Sequence, residues 1–181
     1  MRWTVGVFMV VVLAATIDGQ PRTGQDVIRA MHDRYAATWY PTLSFVQGVV
    51  YTDGRPVQDM WEALRIPGRL RIDLPPIDAP LRTIIYRGDT RYIFEKGKLA
   101  SSGRNPNLLL VLGFYVYRQS PETTTALLQQ EGFDLSRLRE DRWEGRPAYV
   151  VGAGADDLTS SQFWIEKDRL LFLRLIQKSK A

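Results

Sequence analysis

Between Arg69 and Leu74 charged and apolar side chains alternate without a slip, with Leu70, Ile72 and Leu74 on one side and Arg69, Arg71 and Asp73 on the other. A period of two belongs to a strand with one buried and one wet face, because successive side chains point to opposite sides of a sheet. The same period recurs along most of the chain. Leu43, Phe45, Val49 and Tyr51 alternate with Ser44 and Gly48 up to a turn at Asp53-Gly54. A second strand runs from about Gln58 to Ile66, where Pro67-Gly68 interrupts it. Beyond the rigid Pro75–Pro80 connection come strands near Thr83–Arg87 and Arg91–Glu95, joined at Gly88-Asp89, and a short one ending at Ser101. Two more pairs flank Glu144-Gly145-Arg146-Pro147 and Lys167-Asp168-Arg169. Short turn-linked strands of this kind pair antiparallel. Arg87-Gly88-Asp89 spells an adhesion tripeptide but reads as a hairpin turn.

Helical spacing appears in three places. Thr23 and Asp26 form a capping box ahead of Ile28, Met31, Tyr35 and Trp39, a stripe that Pro41 ends. Asn105-Pro106 opens a very apolar stretch, Leu108 to Val116, with proline at the first helical position. Ser120-Pro121-Glu122 starts another helix, which Gly132 closes. No strand–helix–strand alternation suggests a parallel sheet. The expectation is a mainly β, α+β fold: one large, strongly curved antiparallel sheet, an incomplete barrel, with helices over its concave side and an apolar cavity beneath them.

At the N-terminus Arg2 precedes an apolar run from Trp3 to Ala15, with no charge before Asp18. That pattern is a secretory leader; it is shorter than the roughly 20 apolar residues of a membrane span. We read residues 1–20 as a signal peptide, with cleavage between 14 and 20, and residues 21–181 as one domain. The destination is the periplasm. The chain has no cysteine, which excludes disulfides, a thiol nucleophile and a lipid-modified N-terminal Cys. The formal charge of +4 comes from interspersed Arg, Lys, Asp and Glu. It is suited to a solvated surface or to anionic headgroups, and no nucleic-acid motif accompanies it.

Chemistry finds little footing. His32 is the only histidine and falls beside the stripe of the first helix. No His pair or carboxylate cluster has metal-ligand spacing, so neither metal nor cofactor is expected. Ser101, Ser102, Ser160 and Ser161 lack a nucleophile context, and Gly152-x-Gly154 lacks its third glycine. Glu140, Asp141 and Glu144 are interleaved with Arg137, Arg139, Arg142 and Arg146, a pattern of exposed ion pairs. An enzyme is therefore not expected. What stands out is an excess of aromatic and apolar side chains spread over nearly every element, enough to fill a core or to line a greasy cavity.

Several segments, in order, resemble the LolA/LolB-like periplasmic lipoprotein and lipid carriers. Ser44-Phe45-x-Gln47-x-Val49 is similar to that family's first strand, and Leu64-Arg65-Ile66-Pro67-Gly68-Arg69-Leu70-Arg71 to its strand–proline–strand element. Asp89-Thr90-Arg91-Tyr92-Ile93-Phe94 resembles a hairpin of the family, and Asn105-Pro106-Asn107-Leu108-Leu109 falls where it has an inserted helix. Trp143–Tyr149 and Gln162–Lys167 are similar to its closing hairpins. The resemblance implies a half-barrel whose helices form a lid over an apolar cavity. It implies reversible, non-covalent binding of lipid or lipoprotein acyl chains, with membrane-associated donor and acceptor proteins as partners. Where LolA carries an arginine before the strand proline this chain has Ile66, and Arg65 has the opposite strand parity. From strand parity, the residues expected to line the cavity are Phe45, Val49, Leu70, Ile72, Leu74, Tyr92, Phe94, Phe163, Ile165, Leu171 and Leu173. Leu109, Leu110 and Phe114 join them from the inserted helix. The alternative is a periplasmic sensor or protein-interaction module of the same fold, with a filled core and no lipid cargo.

Overall fold

Every strand pairs antiparallel, but hydrogen bonding divides the strands into two sheets. The computed structural model describes residues 20–178, so the leader expected at the N-terminus, all but Gln20, lies outside the described residues. The larger sheet is a six-stranded meander in chain order: β1 (Thr42–Val49), β2 (Gln58–Arg65), β3 (Arg69–Leu74), β4 (Arg82–Arg87), β5 (Thr90–Glu95) and β6 (Lys98–Arg104). The smaller comprises β7 (Leu138–Trp143), β8 (Arg146–Val151), β9 (Gln162–Glu166) and β10 (Phe172–Ile176), in spatial order β10-β9-β8-β7. The general α+β class read from the sequence stands, whereas the single large sheet is corrected to two, and they do not close into a barrel. All seven residues of β6 are exposed, so this edge offers no apolar face against which another strand could be drawn. The chain leaves it for α2 (Leu108–Gly113), a 3-10 turn at Tyr115–Tyr117 and α3 (Pro121–Gln130) before β7 begins.

The first helix, α1, runs from Gly24 to Tyr35 and has the expected capping box: the Thr23 hydroxyl accepts from the Asp26 N–H at 3.2 Å, and the Thr23 N–H donates to Asp26 at 2.9 Å. It stops short of Pro41. The Tyr35 carbonyl accepts from both Thr38 and Trp39 N–H groups, at 2.9 and 2.8 Å, which tightens the chain and takes Trp39 out of the helical stripe. Gly24 lies so close to β8 that an added Cβ would come within 2.3 Å of Val151 Cγ1, so only glycine fits at this contact. For α2 the cap is Asn107, whose side chain accepts from the Leu110 N–H at 3.0 Å; Pro106 therefore lies before the helix, not in its first turn. For α3, Ser120 caps and Pro121 takes the first position as expected, and Gly132 follows the end of the helix at φ +87°.

Two cores result. Val27, Ile28 and Met31 of α1 and Leu128 of α3 pack with Tyr149, Val151, Phe163 and Ile165 on one face of the smaller sheet. On its other face Trp143 and Arg174 help cover Ala148, Val150 and Trp164, with the Arg174 guanidinium 4.2 Å and 4.7 Å from the two indole rings. The inner face of the larger sheet builds a second cluster. α2 stands between the two: Leu108 and Leu112 belong to the first cluster, Leu110 and Val111 to the second.

Candidate functional site

Strand register fixes which side chains share the inner face of the larger sheet. Leu43, Leu64, Leu70 and Tyr86 stand side by side across β1 to β4. The next row is Phe45, Glu62, Ile72, Ile84 and Ile93. Strand alternation puts both rows on one face, since their members are two residues apart along each strand. Leu64, Leu70, Ile72 and Tyr86 are buried, whereas Leu43, Phe45, Met60, Leu74 and Ile84 are only partly covered. The cover comes from Leu110 and Val111 of α2, Leu127 of α3, Tyr115, Trp39, and Phe114, whose ring stacks on Phe45 with centroids 5.7 Å apart.

This face also holds polar groups with nothing to bond. Glu62 is only 7% exposed, yet among the described residues no hydrogen bond or ion pair reaches it. Burial raises its pKa above the usual carboxylate range. The Trp39 indole N–H is buried without a bonding partner; the Tyr115 hydroxyl is enclosed beside the Gly68 backbone, and burial pushes its phenol up to about 12. Buried polar groups are nearly always satisfied; Arg139 Nε and Gln162 Oε1 of the smaller sheet are further exceptions, so what sets this face apart is the carboxyl of Glu62. Tyr86, in the adjoining row, is raised chiefly by burial, and its hydroxyl engages Arg91.

The residues expected to line a cavity are dispersed. Phe45, Leu70, Ile72, Leu74, Leu110 and Phe114 do come together in this cluster. Val49 lies at the far end of β1, partly buried and opposite Gln58. Tyr92 and Phe94 fall on the other face of the sheet, opposite Ile85 and Thr83, because the Gly88-Asp89 turn sets Ile93 against Ile84 and turns Ile93 inward. Leu109 is 53% exposed on the outer side of α2. Phe163, Ile165 and Leu171 belong to the core of the smaller sheet, the first two wholly buried, and Leu173 packs on that sheet's far face. They are separated from the larger sheet because the two sheets are distinct. Ile66 is buried in the inner cluster and Arg65 is exposed, as their parities required. The sequence reading missed Glu62, Met60 and Ile84; alternation of Glu62 with Met60 and Leu64 was the available signal.

The outer face of the larger sheet has its own apolar row. Val46, Trp61, Phe94 and Leu99 follow one another in register with Asp73 and Thr83, and Val46 and Leu99 are 55% and 57% exposed. An open groove of about 410 Å³ borders it, lined in part by Val46, Trp61, Ala63 and Ile77. Elsewhere, His32 lies on the surface of α1 with Nδ1 3.0 Å from Asp33. Asp157 is tied up by the N–H groups of Thr159 and Ser160, at 2.9 and 3.0 Å. Arg139–Asp141, Lys167–Glu140 and Arg146–Glu144 are ion pairs at the surface. Among the described residues no group of three or more His, Asp or Glu is placed to hold a metal, and no helix is long and apolar enough to cross a membrane.

No protein-family model and no curated protein matches the chain. Among solved structures, a complex of the CwlD amidase from Clostridioides difficile with the GerS lipoprotein contains a similar chain, at 12% identity over 88% of this chain and 88% of that one. The TM-score of that overlap is 0.30, too low to carry an argument about fold or function.

Proposed function

We propose that this protein is an exported, periplasmic carrier or binder of lipid-like ligands, holding an acyl chain non-covalently against the inner face of the larger sheet with no chemical step. In this reading β1 to β6 are a half-barrel of the kind implied by the resemblance to LolA/LolB-like carriers, and α2 with Phe114 is its lid. The observation that carries it is the partly covered row of Leu43, Phe45, Met60, Leu74 and Ile84 beneath a helix of one and a half turns. Each CH₂ of a chain buried there gains about 0.8 kcal/mol, so a short contact suffices to hold it in water. Lipoproteins or free lipids delivered by membrane-associated donors are the ligand class.

Native mass spectrometry with lipid extraction after periplasmic expression tests this. A stoichiometric acyl ligand, or saturable binding of a fluorescent fatty acid, is the expected result; absence of both overturns it. A second reading, a sensor or protein-interaction module, is favoured by the outer apolar row, in which Val46 and Leu99 are exposed and Trp61 and Phe94 half-buried. It predicts protein partners and no extractable lipid.

A further inference from the structure

Glu62 is a carboxyl group set into an apolar face, and this placement is costly. Its register neighbours are Phe45 and Ile72, with Ile84 beyond, and Phe114 stacks over Phe45 beside it. Drawing an ionised carboxylate even partly out of water disfavours its charge unless a cation or hydrogen-bond donor faces it. Here the described residues offer no pair, and the carboxylate oxygens are not wholly enclosed, so a group arriving at the face can reach them. Arg91, in the neighbouring row, is engaged by Tyr86. The missing partner is therefore looked for in what the face receives.

We propose that Glu62 selects the polar end of the bound amphiphile, and that the ligand carries a primary ammonium which pairs with this carboxylate while its chain lies along Phe45, Ile72 and Leu74 under α2. The inference rests on the carrier reading above and names its ligand class. An ammonium donates three N–H bonds and accepts none, so it matches an acceptor-only carboxylate; a fatty-acid carboxylate in the same place would set two like charges together. The chain's net charge of +4 makes the assignment discriminating. Its long-range field attracts anions, so a preference for a cation has to come from a local group.

The test is titration of the mature protein at pH 7 with dodecylammonium, dodecanoate and dodecanol, each below its micellar concentration, followed by tryptophan fluorescence and calorimetry. Wild type should bind dodecylammonium at least tenfold more tightly than dodecanoate. Glu62→Gln, checked for folding by circular dichroism, should bring the two within about twofold and leave dodecanol binding unchanged. Equal or tighter binding of dodecanoate by wild type overturns the inference while leaving the carrier reading in place, as does an ammonium preference that survives in Glu62→Gln. Binding of none of the three overturns both. The wild-type preference decides the matter even if the variant does not fold.

Discussion

The two cores of this molecule are built from similar residues and finished differently. Around the smaller sheet, Val27, Ile28, Met31, Leu112, Val116, Leu128, Phe163 and Ile165 have no exposed surface at all, because α1 and α3 lie across the sheet and close it. Over the larger sheet the cover is α2, three aromatic side chains and Leu127 of α3, and half of the apolar row remains partly open. Buried atoms without a hydrogen bond occur with both sheets, Trp39 Nε1 beside the larger and Arg139 Nε and Gln162 Oε1 in the smaller, but the half-open face alone adds an unpaired carboxyl, Glu62. A closed core serves stability, and a face left partly open around an unpaired carboxyl is suited to receiving something.

This contrast can be broken by substitution. Phe163→Ala should cost about 3–5 kcal/mol, read as a fall in the denaturant midpoint, whereas Phe45→Ala should cost less than about 2 kcal/mol and weaken acyl-probe binding; equal losses would mean the larger sheet is as closed as the smaller. Next in size is Ile72→Glu, which puts a charge into a 7% exposed site and should cost at least about 2 kcal/mol. Arg71→Glu, on the wet face, removes only the partly screened fork with Asp73 and should cost about 1 kcal/mol or less; similar effects would mean the strand register is wrong.

Glu62→Gln works in the opposite direction. The Glu62 pKa is raised by burial, so its favourable contribution is present below the ordinary glutamate range and is lost as pH rises through the folded-state value. The glutamine variant should therefore melt above wild type at pH 7, and the difference should fade below about pH 4. A lower melting temperature at pH 7 would mean that Glu62 has a partner in the folded chain. The smallest effect is expected for Leu109→Ser, within about 0.5 kcal/mol of wild type, since this side chain is 53% exposed.

Much of the fold was legible where one face of an element is polar. The Arg69–Leu74 strand and the capping box at Thr23 appear as read because charge marks the wet side. Tyr92-Ile93-Phe94 and Phe163-Trp164-Ile165 are apolar on both parities, so alternation could not say which members point inward; the Gly88-Asp89 turn decided the former. The division into two sheets depends on which distant edges pair, and no local pattern encodes that. Glu62 was legible by parity, but a glutamate within Met60–Leu64 draws less notice than the tryptophan beside it. Fewer than half of the expected lining residues share one surface, because the expectation assumed a single wall.

The six residues of α2 give the molecule a mechanical property. Leu108 and Leu112 are anchored in one core while Leu110 and Val111 roof the other, so the helix cannot lift from its sheet without pulling on the neighbouring interior. Lifting the helix is thereby linked to loosening of the best-buried part of the chain. By the same linkage a guest that holds the helix down raises the melting temperature of the entire molecule, not only of the half it touches.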